Sequence, residues 1–304
     1  IYLGISLLLM GSLTKAQNGV DSIIMEKYYI STIADTVGQS PSGNASGTLP
    51  VGSITYRLFL DMAPNYSLQA LFGQPAADNV TPLHPLKIIT STSFFNNEFR
   101  GDVSPNSIPS TSLKSNTVAL DSWFSFGGTC NNQMGVLKVD DNGAANLVHT
   151  GRTGSSAGLL INADPAMGTP LTTQDGMIPG TPGAVGILSS HGQDSVFAAT
   201  SQKGHSYVED NGSIYYQGAI AGVDPTGLNR ILIGQFTTNG SFCYEINVQV
   251  KSPGGVVEHY MAKNPDPNAT NPPEYLLPKG TCGNASPSVS ITSPISAATF
   301  TVGN

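Results

Sequence analysis

Charge is scarce in this 304-residue sequence: Asp, Glu, Lys and Arg make up 11% of it, against a usual share of about 25%. Lys and Arg number 13 against 20 Asp and Glu, a net charge of −7, and the basic residues form no cluster. Each phosphate contact needs a cation, so nucleic acid is excluded as a partner and anionic lipid is disfavoured. Cysteine is nearly missing too. Cys130, Cys243 and Cys282 lie far apart with no Cys-x-x-Cys, which removes thiolate metal sites and thioredoxin-like redox motifs. One disulfide with a leftover thiol is allowed in an oxidising compartment. Three pairings are open, and nothing in the residues selects one. Tryptophan occurs once, as Trp123. Nowhere do apolar residues keep a 3.6-residue period over three turns between caps, so amphipathic helices are not expected.

What is abundant is glycine and proline, 34 and 21 residues, well above the usual combined share of about 12%. The polar surface must then come from Ser, Thr, Asn and Gln, as in extracellular β-proteins with many turns. Hydrophobic residues at 39% suffice for a buried core, so disorder throughout is excluded.

The first residues speak to location. Ile1–Leu13 carry no charge, and Thr14 and Ala16 occupy the −3 and −1 positions of a cleavage site before Gln17. That is the apolar region and cut site of a secretory leader. Thirteen residues make about 20 Å of helix, short of the roughly 30 Å hydrocarbon core, so no permanent span is expected once the leader is cleaved. Ile1 in place of Met, with no basic stretch ahead of it, leads to the expectation that the chain is truncated at its front. Loss of Lys15 with the leader moves the net charge to −8.

Turn signals and period-two runs supply the fold class. Asn-Gly, the strongest short hairpin cue, occurs at Asn142-Gly143, Asn211-Gly212 and Asn239-Gly240. After the last, Phe242, Tyr244, Ile246, Val248 and Val250 alternate with Cys243, Glu245, Asn247 and Gln249. Ser252-Pro253-Gly254-Gly255 then turns the chain into Val256–Met261. Residues 204–261 therefore read as an antiparallel meander with one buried face. Earlier strands are expected at Ser22–Ser31, Ile54–Asp61, Leu68–Phe72, Leu86–Thr92, Val118–Phe126 and Met134–Val139. In the second, Tyr56, Leu58 and Leu60 face away from Thr55, Arg57, Phe59 and Asp61. The expected class is all-β: a mostly antiparallel β-sandwich, stacked like a jelly roll or an Ig domain. It carries a long Gly/Pro-rich insertion at 144–190, which is either functional or hides strands without periodicity.

The expected organisation is a signal peptide at 1–16, a β-sandwich module at 17–262, a Pro/Asn-rich linker at 263–285 and a further segment from 286. Ser286-Pro-Ser-Val-Ser-Ile-Thr-Ser-Pro294 and Phe300-Thr-Val302 resemble the opening strands of bacterial Ig-like repeats, here a truncated start, which implies a longer natural protein. Gly52-Ser-Ile-Thr-Tyr-Arg-Leu58, Leu68-Gln-Ala-Leu-Phe-Gly73, Thr90-Ser-Thr-Ser-Phe-Phe-Asn96 and Leu120-Asp-Ser-Trp123, taken with the Lys-Ala-Gln cut site, resemble a known family. It is the uncharacterised N-terminal β-module of large surface proteins exported by bacterial type IX secretion. The resemblance implies export and modular architecture and carries no catalytic or binding residue.

Reactive constellations lack their structural context. Gly154-Ser155-Ser156-Ala157-Gly158 places Ser156 as a hydrolase nucleophile, with Asp194 and then His205 or His259 in triad order. No buried strand precedes Ser156 and no helix follows, so a flexible loop is the reading. Asp140, Asp141 and Asp210 sit beside Asn-Gly turns, where calcium is the alternative to plain turn chemistry. His84, His149, His191, His205 and His259 are dispersed, with no zinc-type spacing. Arg57 is expected to bridge Asp121 or Asp61 and pin the strand register, with Trp123 and Tyr56 as core neighbours. Tyr207, Tyr215, Tyr216, Phe94 and Phe95 are the candidates for a glycan platform; core packing is the reading for most of them, with a platform near Tyr215 as the alternative.

The function expected is a secreted or cell-surface adhesion module of a larger protein, without enzymatic activity or cofactor, calcium excepted. Its partner would be an extracellular glycan or a surface protein. The alternatives are a carbohydrate-binding module accessory to a glycan-degrading enzyme, and a secreted hydrolase.

Overall fold

The computed structural model describes residues 19–36, 47–78, 81–98, 101–108, 112, 117–127, 185–189, 196–198, 204–222, 229–277 and 282. It is an all-β sandwich of mostly antiparallel sheets. A four-stranded sheet orders β1 (Val20–Ile30), β2 (Ile54–Met62), β10 (Asn229–Thr238) and β6 (Trp123–Phe124). A three-stranded sheet orders β11 (Phe242–Glu245), β5 (Leu86–Thr90) and β8 (Ser206–Glu209). A seven-stranded sheet orders β14 (Glu274–Leu276), β13 (Val257–Met261), β12 (Asn247–Lys251), β3 (Ser67–Pro75), β9 (Gly212–Ile220) and β7 (Gly186–Leu188), with β4 (Pro82–His84) beside β3. Inward side chains of all three meet in one core. Leu58, Leu60, Ile231 and Phe236 come from the first sheet, Ile88, Tyr207 and Tyr244 from the second, and Leu71, Ile214, Val248 and Tyr260 from the third. Gly234 matters to that packing: a Cβ there would press on the ring of Phe236.

The division of β2 into two faces holds, but both faces are buried. Behind the main core, Phe59, Leu232, Tyr28 and Trp123 form a second core with Phe95, Ile108, Val118 and Leu120. These last four belong to the described coil and 3-10 turns at 94–98, 101–108 and 117–122, which cover the sheet. Across this face runs a row of directly opposed residues: Glu26 on β1, Arg57 on β2, Gln235 on β10 and Trp123 on β6. All four are buried. Arg57 Nε donates to Gln235 Oε1 at 3.0 Å, and its guanidinium sits 3.5 Å from the centroid of the Tyr28 ring. Gln235 Nε2 donates to the carbonyls of Ala119 and Asp121 at 2.9 and 2.8 Å. One amide thus joins the sheet to its cover. At the next level Thr55 and Thr237 share a hydroxyl hydrogen bond of 2.7 Å.

Arg57 bridges neither acid expected of it. Asp61 pairs with Arg230, its cross-strand neighbour, at 2.9 Å. Asp121 lies outside the ladder and accepts the backbone N–H groups of Asn97 and Asp102 at 2.6 and 3.1 Å. Tyr56 and Trp123 are on opposite faces; Tyr56 stacks on Phe242, ring centroids 4.7 Å apart.

The meander also resolves differently. β8 and β9 flank Asn211-Gly212 yet do not pair, and β10 and β11 flank Asn239-Gly240 yet do not pair. Both turns carry the chain from one sheet to another, because the neighbouring strands found better partners across the sandwich. The nine-residue run 242–250 is likewise split: 242–245 pair with β5, and 247–250 pair with β3 and β13. Only Ser252–Gly255 closes a hairpin, between β12 and β13. Residues 118–126 are a strand for two residues only, after a 3-10 turn at Val118–Leu120. The stretch 144–190 does contain a strand, β7, paired with β9.

The segment expected as a linker packs onto the module. β14 runs parallel to β13, and Leu277 enters the main core. Cys282 is bonded to Cys243 of β11, which selects one of the three pairings. Lys263 Nζ reaches both Glu245 and the carbonyl of Cys282, while Lys87 Nζ pairs with Glu245 at 3.1 Å. The leader at 1–17, Met134–Val139, Asn142-Gly143 and the Ig-like start at 286–304 lie outside the described residues.

Two measurements check this account. Gln235→Leu strips Arg57 and two buried carbonyls of their partner, at about 1–3 kcal/mol per unsatisfied group. Urea unfolding should therefore show a midpoint lowered by the equivalent of about 3 kcal/mol or more with an unchanged slope. Burial holds the Asp121 carboxyl well above the usual carboxylate range, outweighing its two N–H donors. The folded state then binds a proton more readily than the unfolded chain, so stability falls as pH rises from the ordinary carboxylate value through the raised one. Asp121→Asn should remove that slope while lowering stability overall.

Candidate functional site

The outer face of the seven-stranded sheet gathers the polar and aromatic side chains left over from the cores. Its register places Glu274, His259, Gln249, Ala70, Tyr215 and Gly186 directly opposite one another on six consecutive strands. With strands about 4.8 Å apart, four steps separate Tyr215 from Glu274, about 19 Å.

The polar half of the row is tied together. His259 Nε2–H donates to Gln249 Oε1 at 3.0 Å, and Gln249 Nε2 donates to Gln69 Oε1 at 3.1 Å. Gln69 joins this face because β3 shifts register between the partners of Gln249 and Val250. The His259 ring also lies 4.6 Å from that of Phe72, centroid to centroid. Desolvation lowers the His259 pKa, and the nearby Glu274 carboxylate partly offsets it. The ring is therefore neutral near pH 7. Its Nε2 proton is spent on Gln249, which leaves Nδ1 as an acceptor.

The other end of the row is an aromatic surface. Tyr215 is 42% exposed. A Cβ built on Gly186 would lie 2.7 and 2.8 Å from its Cε1 and Cε2 and closer still to Cζ. Such a point sits above Cζ along the ring normal. The ring thus lies face-down across Gly186, with its opposite face turned outward. Ala70, next in the row, forms a low floor between the ring and the amides.

The other sequence candidates are placed elsewhere. Tyr207 is buried, its ring against Phe124 and Phe197. Tyr216 points inward to stack on Phe126. Phe94 is in the main core and Phe95 in the second. These four rings present no platform: strand alternation turns Tyr207 and Tyr216 into the sandwich, and the coil at 93–97 sends Phe94 into the main core and Phe95 into the second. Asp210 occupies the β8–β9 turn, and among the described residues no three metal-ligating side chains gather. Cys130, Asp140, Asp141, Ser156, His149, His191 and Asp194 lie outside the described residues. His84 is buried and His205 exposed. Gln69, Gln249 and Gly186 were not singled out from the sequence. Their signal was present only for Gln249, on the polar side of the 242–250 run.

Comparison with protein-family models, curated proteins and solved structures gave no match. Hydrogen-bond donors, acceptors and one presented ring can hold a ligand, but the row brings no nucleophile to a base.

The electrostatic assignment predicts a direction. Glu274→Gln removes the charge that favours imidazolium, so the His259 ring resonances should titrate at lower pH than in the parent chain. In the parent chain, the neutral ring's contribution to stability is present above the ordinary histidine value and lost as pH falls through it.

Proposed function

We propose that this chain is a secreted, non-catalytic β-sandwich module that serves as a surface or adhesion segment of a larger protein, with the outer face of the seven-stranded sheet as its contact surface. The Cys243–Cys282 bond carries this reading, since such a cross-link persists in oxidising compartments and is rare where thiols are kept reduced. The leader-like opening and the scarcity of charge point the same way. So does the structural use of the buried ions: Arg57, Asp121, Asp61 with Arg230, and Glu245 with two lysines all fasten one element to another. None of them faces a second reactive group across a cleft.

Fractionation of cells producing the natural protein tests this. The chain should be reached by protease added to intact cells, and non-reducing peptide mapping should recover the 243–282 pair. A cytoplasmic chain with both thiols free would overturn the reading. So would labelling by a broad serine-hydrolase probe that Ser156→Ala abolishes, which would restore the hydrolase alternative.

A further inference from the structure

We infer that the outer face of the seven-stranded sheet binds an extended chain of neutral pyranose sugars, stacked on Tyr215 and hydrogen-bonded along Gln69, Gln249 and His259. The inference rests on the reading of this face as the contact surface and adds the chemistry of what it holds.

The posture of Tyr215 is the first argument. An aromatic ring that merely fills space turns its edge or both faces into neighbouring side chains. Here glycine on the adjacent strand lets the ring lie flat, with one face on the backbone and the other outward. A pyranose ring with equatorial hydroxyls has axial C–H groups on its faces and stacks on such a surface, while its rim of hydroxyls stays available for hydrogen bonds. The second argument is the order of the row. Past the ring comes the small Ala70, which leaves clearance. Then come two amides and a neutral imidazole, supplying donors and acceptors in line. A sugar hydroxyl both donates and accepts, so a mixed row of this kind suits it, whereas an ion would need a charge set. The third is charge. The one formal charge in the row is the Glu274 carboxylate at its far end, and the whole chain is acidic. An anionic polymer is repelled and a neutral one is not. The row is also long enough for several linked sugars, since about 19 Å separate Tyr215 from Glu274.

The test uses the full chain and defined probes: cellohexaose, xylohexaose and mannohexaose as neutral oligosaccharides, and a hexamer of galacturonic acid as the anionic one. Calorimetric titration should show binding of at least one neutral hexamer, with the acidic hexamer at least tenfold weaker. Tyr215→Ala, a change at an exposed position, should weaken that binding at least fivefold, and Tyr215→Phe should leave it within twofold. Gly186→Val touches no sugar-binding group but lifts the ring, so it should weaken binding as Tyr215→Ala does, with near-ultraviolet circular dichroism unchanged in the core aromatics. Absence of binding by every neutral hexamer overturns the inference. So does a preference for the acidic one, or affinity indifferent to both Tyr215→Ala and Gly186→Val. Self-association that Tyr215→Ala abolishes would give the face to a second copy of the chain and also overturn it. None of these results bears on where the chain resides, on its cysteine pairing or on hydrolase labelling, so the broader reading stands or falls on the fractionation, peptide-mapping and probe experiments.

Discussion

A single buried amide holds the two halves of this protein in register. Gln235 accepts a hydrogen bond from Arg57 with its oxygen and donates two, to the carbonyls of Ala119 and Asp121, with its nitrogen. A polar side chain in a core is tolerated only when its hydrogen bonds are met. The sheet alone cannot meet those of Gln235, and the covering coil alone cannot meet its own. The described parts of that cover, 94–98, 101–108 and 117–122, contain no strand, and side chains satisfy many of their backbone groups instead. Asn96 exchanges hydrogen bonds with the backbone of Ser122, whose hydroxyl donates to Phe95 and accepts from Thr237. Asp121 pulls in two further N–H groups. The cover is therefore specified by geometry as much as by the apolar contacts of Ile108, Val118 and Leu120.

This arrangement explains which parts of the fold were legible in the sequence. Alternation is a local property, so the strands at 20–30, 54–62, 67–75, 86–90 and 242–251 and the facing of their side chains could be read directly. Pairing is not local. An Asn-Gly step reports a tight change of direction, and either a hairpin or a passage between stacked sheets needs one. At 211–212 and 239–240 the second outcome won: β8 and β11 pair with β5, β9 with β3 and β7, and β10 with β2 and β6. Arg57 misled for a related reason. A charge in an apolar strand asks for a partner, and Arg57 has a neutral amide and a tyrosine face in place of Asp61 or Asp121. Nothing in the spacing distinguishes those solutions.

The candidate site was legible only in part. Tyr215 stood out as one of a run of aromatics near a turn, and its neighbours Tyr207 and Tyr216 looked equivalent. Strand parity separates them: one residue's shift sends a ring into the core. What gives Tyr215 its posture is Gly186, from a stretch with no periodicity, and that pairing exists only once β7 is laid beside β9. The amides of Gln69 and Gln249 come together across two strands far apart in sequence, aided by a register shift that no propensity announces.

The bond between Cys243 and Cys282 also decides how the module bears load. Tension entering from beyond residue 282 meets the covalent link before it reaches β14, and passes straight to β11, which is laddered to β5. There it acts along a strand followed at once by β12, so the load is shared between the β5 ladder of one sheet and the β3 and β13 ladders of another. Without that link the same pull would peel β14 from β13 one short bridge at a time, starting at the rim. A two-atom clasp thus turns the weakest edge of the structure into an anchorage.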